Sequence, residues 1–160
     1  RVEAMSLSDR VIVMKDGTIM QIGSPQEVYE DPASKFVAGF VGKVAFFPVE
    51  VAGGGTGAWD CVLGGSKVRV ARAAEGIAAG GQAVVMARPE SLRLAEPGAG
   101  PVEGTVRMNV YLGSSVECFV DTPYGEVLVQ IDDPASKRVY PEGSPVAVAF
   151  EPGRVRLLAE

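Results

Sequence analysis

The chain has 160 residues, of which 47% are hydrophobic and 22% charged, a globular composition and not a disordered one. A formal net charge of −5, with no stripe of Lys or Arg, excludes non-specific nucleic-acid binding, which needs clustered cations to neutralise phosphates. There is no His, so the usual general base near neutral pH is missing, and the two cysteines form no CxxC zinc pattern.

Residues 1–8 are expected to end a helix, and no apolar signal core follows Arg1–Met5. No apolar run approaches the roughly 18–20 residues of a membrane span. Val11–Met14 is β-branched, and Ile19–Ile22 returns after Lys15-Asp16-Gly17-Thr18. Asp-Gly is the favoured pair for a tight hairpin, because both residues tolerate positive φ. Ser24-Pro25-Gln26-Glu27 predicts a helix start with Ser24 as cap, Pro25 in the first turn and Glu27 closing a capping box. That helix, Gln26–Glu30, stops before Asp31-Pro32. A second is predicted from Ala33 to about Phe40, with Phe36, Val37 and Phe40 on one face.

From Lys43 the character turns to β. Strands are predicted over Val44–Val51, Ala58–Leu63 and Lys67–Ala71, with Gly53-Gly54-Gly55 and Gly64-Gly65 as loop punctuation. These glycines lack the GxxxxGK[ST] spacing of a phosphate-binding loop. Further on, Val106, Met108, Val110 and Leu112 are expected to share one face, then Val116, Cys118 and Val120, then Val127, Val129 and Ile131. Val146, Val148 and Phe150 form another strand, and Val155 with Leu157 the last. Strict alternation over short segments signals antiparallel sheet with one buried face, here a small barrel or sandwich. Cys61 and Cys118 fall in such strands as half-buried thiols. Asp132-Asp133 is expected in a solvated turn before Pro134. A weak repeat lays Gly80–Leu94 on Gly143–Leu157 at an offset of 63 residues, which suggests two tandem half-barrels.

Residues Glu3 to Gly17, Gln21-Ile22-Gly23-Ser24-Pro25-Gln26-Glu27-Val28-Tyr29 and Pro32 to Gly42 resemble, in order and spacing, the end of the nucleotide-binding domain of ABC-importer ATPase subunits. Ala87-Arg88-Pro89-Glu90-Ser91-Leu92, Gly104-Thr105-Val106 and Tyr111-Leu112-Gly113-Ser114 are similar to the TOBE domain, an OB-like β-module appended to such subunits. The resemblance implies a mainly β protein: residues 1–41 a C-terminal remnant of the ATPase domain, and residues 42–160 a TOBE domain of antiparallel strands.

It also implies a regulatory and dimerisation module with no cofactor of its own. ATP and Mg²⁺ would be bound by upstream parts of a longer parent, itself an ATPase like the maltose, polyamine and iron importer subunits. The parent would pair with transmembrane permease subunits and a solute-binding protein. It would be cytoplasmic, peripheral at the inner face of the cell membrane. Tyr111, Leu112, Gly113 and Ser114 are expected near a functional surface, and Phe46, Phe47 and Trp59 are apolar residues that paired barrels could bury. The alternative is a sensor of a small oxyanion or substrate, with Ser66, Lys67, Ser114 and Ser115 as ligand groups by residue type. In relatives the Val11–Ile22 hairpin packs on the ATPase core. Here it is expected to pair with another copy, pack on the barrel or lack order.

Overall fold

The computed structural model describes residues 10–151 and 153–159. The helix end expected over residues 1–8 lies outside the described residues. The first element is a hairpin of β1 (Val11–Lys15) and β2 (Thr18–Gly23). Asp16 and Gly17 both take positive φ, 50° and 77°, as the tight turn requires. Helix α1 (Pro25–Glu30) starts on the predicted capping box: Glu27 N–H donates to Ser24 Oγ at 3.1 Å, and Ser24 N–H donates to Glu27 Oε1 at 3.4 Å. Helix α2 (Lys35–Val41) begins two residues later than expected, because Ser34 caps it through the Val37 N–H. The inner face of the hairpin joins both helices in a small core of Val13, Val28, Val37 and Val41, with Phe36 and Phe40 stacked at 5.7 Å. The hairpin is therefore neither free-standing nor inserted in the β-barrel: it packs on its own two helices.

The rest is β. A six-stranded sheet runs in the order β5-β4-β3-β7-β13-β6, and a five-stranded sheet in the order β11-β10-β9-β12-β8. The strands of the first are β3 (Ala45–Gly54), β4 (Trp59–Leu63), β5 (Ser66–Val70), β6 (Arg72–Ala73), β7 (Gln82–Ala87) and β13 (Arg156–Leu158). Those of the second are β8 (Leu92–Ala95), β9 (Val102–Tyr111), β10 (Ser115–Thr122), β11 (Gly125–Asp132) and β12 (Pro145–Phe150). Their inner faces share one core that includes Phe47, Leu63, Val85, Val120, Val129, Val148 and Leu157.

The two sheets have one plan. The order β5-β4-β3-β7-β13 is matched by β11-β10-β9-β12-β8. The offset of 63 residues lays β7 on β12, and the registers agree: Leu157 pairs with Val85 in one sheet, Leu94 with Val148 in the other. The last strand of each set is exchanged. β8 follows β7 in the chain but pairs with β12, and β13 follows β12 but pairs with β7.

Several local expectations need correction. Gly53 and Gly54 belong to β3, where a bulge after Val51 absorbs an extra residue, and are not loop. β9 also carries a bulge. Phe119 pairs with Met108 and Val120 with Val106, so Arg107 is left over and the faces switch. Val106 is buried, but Met108 and Leu112 are 38% and 56% exposed, so the expected single face does not exist. Phe47 is fully buried between Tyr124 and Phe150 and offers nothing to a partner, while Phe46 and Trp59 are half-buried. Cys61 and Cys118 are buried free thiols, not half-buried ones.

Candidate functional site

Between the helical layer and the first sheet lies Arg88, directly after β7. Its neighbours Ala83 to Ala87 are buried on both faces, since Val84 and Met86 pack outward against Ala38 of α2 and Leu158. The guanidinium is itself buried, at 3% exposure. Its donors are satisfied by backbone carbonyls, those of Tyr29 and Ala38 in the last turns of the two helices and that of Lys43 in the link to β3. Nη2 donates to Tyr29 O at 2.9 Å, and Nη1 to Ala38 O and Lys43 O at 2.9 and 3.0 Å. The charge also lies 4.2 Å over the Tyr29 ring. Tyr29 OH donates to Glu90 Oε2 at 2.6 Å. Burial, and then the Glu90 carboxylate, push the Tyr29 phenol above its ordinary range, and burial lowers the Arg88 guanidinium.

A second set of contacts ties the end of α1 to the sheet. Arg72 pairs with Asp31 and donates to Glu30 O. Arg156 Nε donates to Pro32 O at 3.3 Å, and its Nη1 lies 3.6 Å from Asp31 Oδ1. On the other side of the exchanged strands, β8, the end of β11 and the β12–β13 turn border a cleft of about 360 Å³.

The outer face of the first hairpin is apolar and exposed. Ile12 pairs with Ile22 and Met14 with Ile19, and their exposures run from 42% to 57%. Tyr111 and Leu112, at 68% and 56%, form a second exposed apolar site where β9 turns into β10. Gly113 allows that turn with φ +84°, Leu112 N–H donates to Ser115 O, and Ser114 O accepts from Asp133 N–H. Ser114 is exposed and Ser115 half-buried. Ser66 and Lys67 begin β5 at the edge of the other sheet, facing Leu63 and Val62 across the β4–β5 turn. The two groups of predicted ligand residues thus lie on different sheets, and no hydrogen bond among the described residues joins them. Asp132 ends β11, and Asp133 turns the chain with φ 50° before Pro134.

Among the described residues, the Gly-rich stretches lie in β3 and in the β4–β5 turn, not before a helix, and no group of three or more His, Cys, Asp or Glu is placed to hold a metal ion. No helix among the described residues is long and apolar enough to cross a membrane. In the sequence Arg88 stands out only within the Ala87–Leu92 resemblance. The signal for its role is an arginine between a continuous apolar strand and a proline, where only a buried, fully paired guanidinium is tolerated.

Residues 85–158 match the TOBE domain family. The Fe(3+) ions import ATP-binding protein FbpC of Rhizobium etli is 40% identical over 157 residues, 98% of this chain and 43% of that protein. The spermidine/putrescine import ATP-binding protein PotA of Ruegeria pomeroyi is 36% identical over 155 residues, 96% of this chain and 42% of that one. The chain therefore spans less than half the length of these relatives. Among solved structures, the cytoplasmic molybdate-binding protein ModG, with molybdate bound, superposes with a TM-score of 0.57 at 18% identity, over 72% of this chain and 96% of that one. At that identity the likeness concerns the fold alone. Residues 85–158 are a TOBE domain, and nearly the whole chain is similar to part of ABC-importer ATP-binding subunits.

Proposed function

We propose that this chain is the regulatory and self-association module of an importer ATP-binding subunit. Residues 1–41 are the end of the nucleotide-binding domain, and residues 42–160 the accessory domain. The observation that carries this is the pair of exposed apolar surfaces on either side of the Arg88 joint. One, on the first hairpin, suits the rest of the ATPase domain; the other, Tyr111 and Leu112, suits a second copy. A joint with a buried, multiply bonded arginine moves as one piece, so a contact made by the β-domain constrains the helical layer.

In this account ATP and Mg²⁺ bind upstream, the fragment performs no catalysis, and the parent works at the cytoplasmic face of the membrane with permease subunits and a solute-binding protein. Amide hydrogen exchange across a concentration series tests it. Protection at residues 111–115 should rise with concentration. Concentration-independent exchange there would remove the self-association surface.

A second function, sensing a small anionic ligand, is favoured by the charged cleft beside β8 and by the molybdate bound in the ModG relative of the fold. Ser66, Lys67, Ser114 and Ser115 are less suited to it, being divided between two sheets.

A further inference from the structure

The link from α1 to α2, residues 30–33, is held from both sides. On the hairpin side stands Gln21 of β2. Its Nε2 donates to Asp31 O at 3.1 Å, and its Oε1 accepts from Ala33 N–H at 2.8 Å. On the sheet side stand Arg72 of β6 and Arg156 of β13. Arg72 Nη2 donates to Glu30 O at 2.6 Å, and Arg156 Nε to Pro32 O at 3.3 Å. Successive carbonyls of the link are therefore bonded to the sheet, the hairpin and the sheet again. The Asp31 carboxylate also turns to the sheet: it pairs with Arg72 and lies 3.6 Å from Arg156 Nη1.

Arg72 and Arg156 need that carboxylate. They are direct partners in the parallel β6–β13 register, where like charges repel. Strand β6 has two residues, so few backbone bonds oppose the repulsion; the next is Ala74 N–H to Leu157 O at 2.9 Å. Among the described residues no other acidic side chain pairs with either arginine. The placing of Asp31 therefore decides how firmly β6 is attached. Helix α1 fixes Asp31 through its N–H, which donates to Glu27 O at 2.7 Å. The course of the backbone beyond that point falls to Gln21, whose one amide grips both sides of Pro32. Gln21 lies opposite Val13 on the inner face of the hairpin, and its neighbour Ile22 is 42% exposed on the outer apolar face. A partner docked on that outer face bears on the strand that carries Gln21.

We propose that Gln21 is a positioning residue: it sets Asp31, and through Asp31 the attachment of β6, so that the outer face of the hairpin is linked to the edge of the first sheet. This relay is separate from the Arg88 joint, which grips Tyr29, Ala38 and Lys43. It rests on the regulatory reading above for its purpose, and self-association plays no part in it.

Amide hydrogen exchange of the chain at one low concentration tests it. Gln21→Met keeps the side-chain size and removes both bonds. Exchange at residues 72–74 and 156–158 should rise by about tenfold, with β9, β10 and β11 unchanged. Asp31→Ala, at a partly exposed residue, should raise exchange at the same positions. Adding Gln21→Met to Asp31→Ala should then change it by less than about twofold, because the relay is already cut. Unchanged exchange at β6 and β13 in Gln21→Met overturns the proposal. So does the full Gln21→Met effect on top of Asp31→Ala, and so does an equal rise in β9 to β11, which marks a general loss of stability. Molar mass reports on self-association alone, so the relay and the self-association module can fail separately.

Discussion

The Arg88 guanidinium lies 4.2 Å over the Tyr29 ring and donates to the Tyr29 carbonyl from both Nε and Nη2, at 3.2 and 2.9 Å. One side chain thus grips the end of α1 by its face and by its backbone. The same guanidinium reaches Ala38 O and Lys43 O, so a single residue after β7 closes α1, α2 and the start of β3 against the sheet. Removing it would leave buried carbonyls without donors. Arg88→Ala should cost about 1–3 kcal/mol for each buried carbonyl left without a donor. Arg88→Lys should recover only part, because an ammonium cannot form the planar fork. Urea unfolding of the three proteins measures both.

Tyr29 gives the joint a pH dependence with a defined sign. Its phenol is held above its unfolded value by burial and by Glu90. The folded state therefore retains a proton that the unfolded state releases near pH 10, and stability falls as pH rises through that region. Below it the contribution is fully present. Tyr29→Phe should flatten this part of the profile, measured as urea midpoints from pH 8 upward.

Cys118 is fully buried, and burial pushes its thiol up to about 11. Cys61 shifts in the same direction, by burial first and the neighbouring Asp60 second. Reaction with a thiol reagent at pH 8 should be slow for both in the native protein and fast in urea, since the thiolate is the nucleophile.

The exchange of β8 and β13 makes a distant prediction. Leu157 is fully buried near the C-terminal end of the chain, yet it pairs with Val85 in the sheet built from the first half. Leu157→Ala should cost about 2–5 kcal/mol. Hydrogen exchange should show the loosening first in β3 and β7, not in β10 and β11. Gly104, in β9, tests the packing of that strand against β10. An added Cβ would lie 2.6 Å from Val120 Cγ1 and 2.7 Å from the Asp121 carbonyl. Gly104→Ala should therefore destabilise by about 1–3 kcal/mol, read from thermal unfolding.

Much of this architecture was legible where local chemistry decides structure. Asp16-Gly17 specifies a turn, Ser24 with Glu27 specifies a cap, and Val116, Cys118 and Val120 alternate because one face of β10 is buried. The misses arise where tertiary contacts decide. β7 shows no alternation because α2 covers its outer face. The bulge at Arg107 turns Met108 outward without any Gly or Pro to announce it. The exchange of β8 with β13 is a matter of which strand each one meets, and only the faint 63-residue offset carries a trace of it. The cleft around Lys137 and Arg154 was invisible for the same reason, since the 3-10 turn after β11 and the β12–β13 turn meet only in the folded chain.

Molar mass by light scattering, across a dilution series, tests the central claim of a self-association module most directly. The account predicts a dimer that dissociates on dilution, and a Tyr111→Ser/Leu112→Ser variant that is monomeric throughout. A chain that is monomeric at every concentration, or a variant that dimerises as well as the parent sequence, would contradict it.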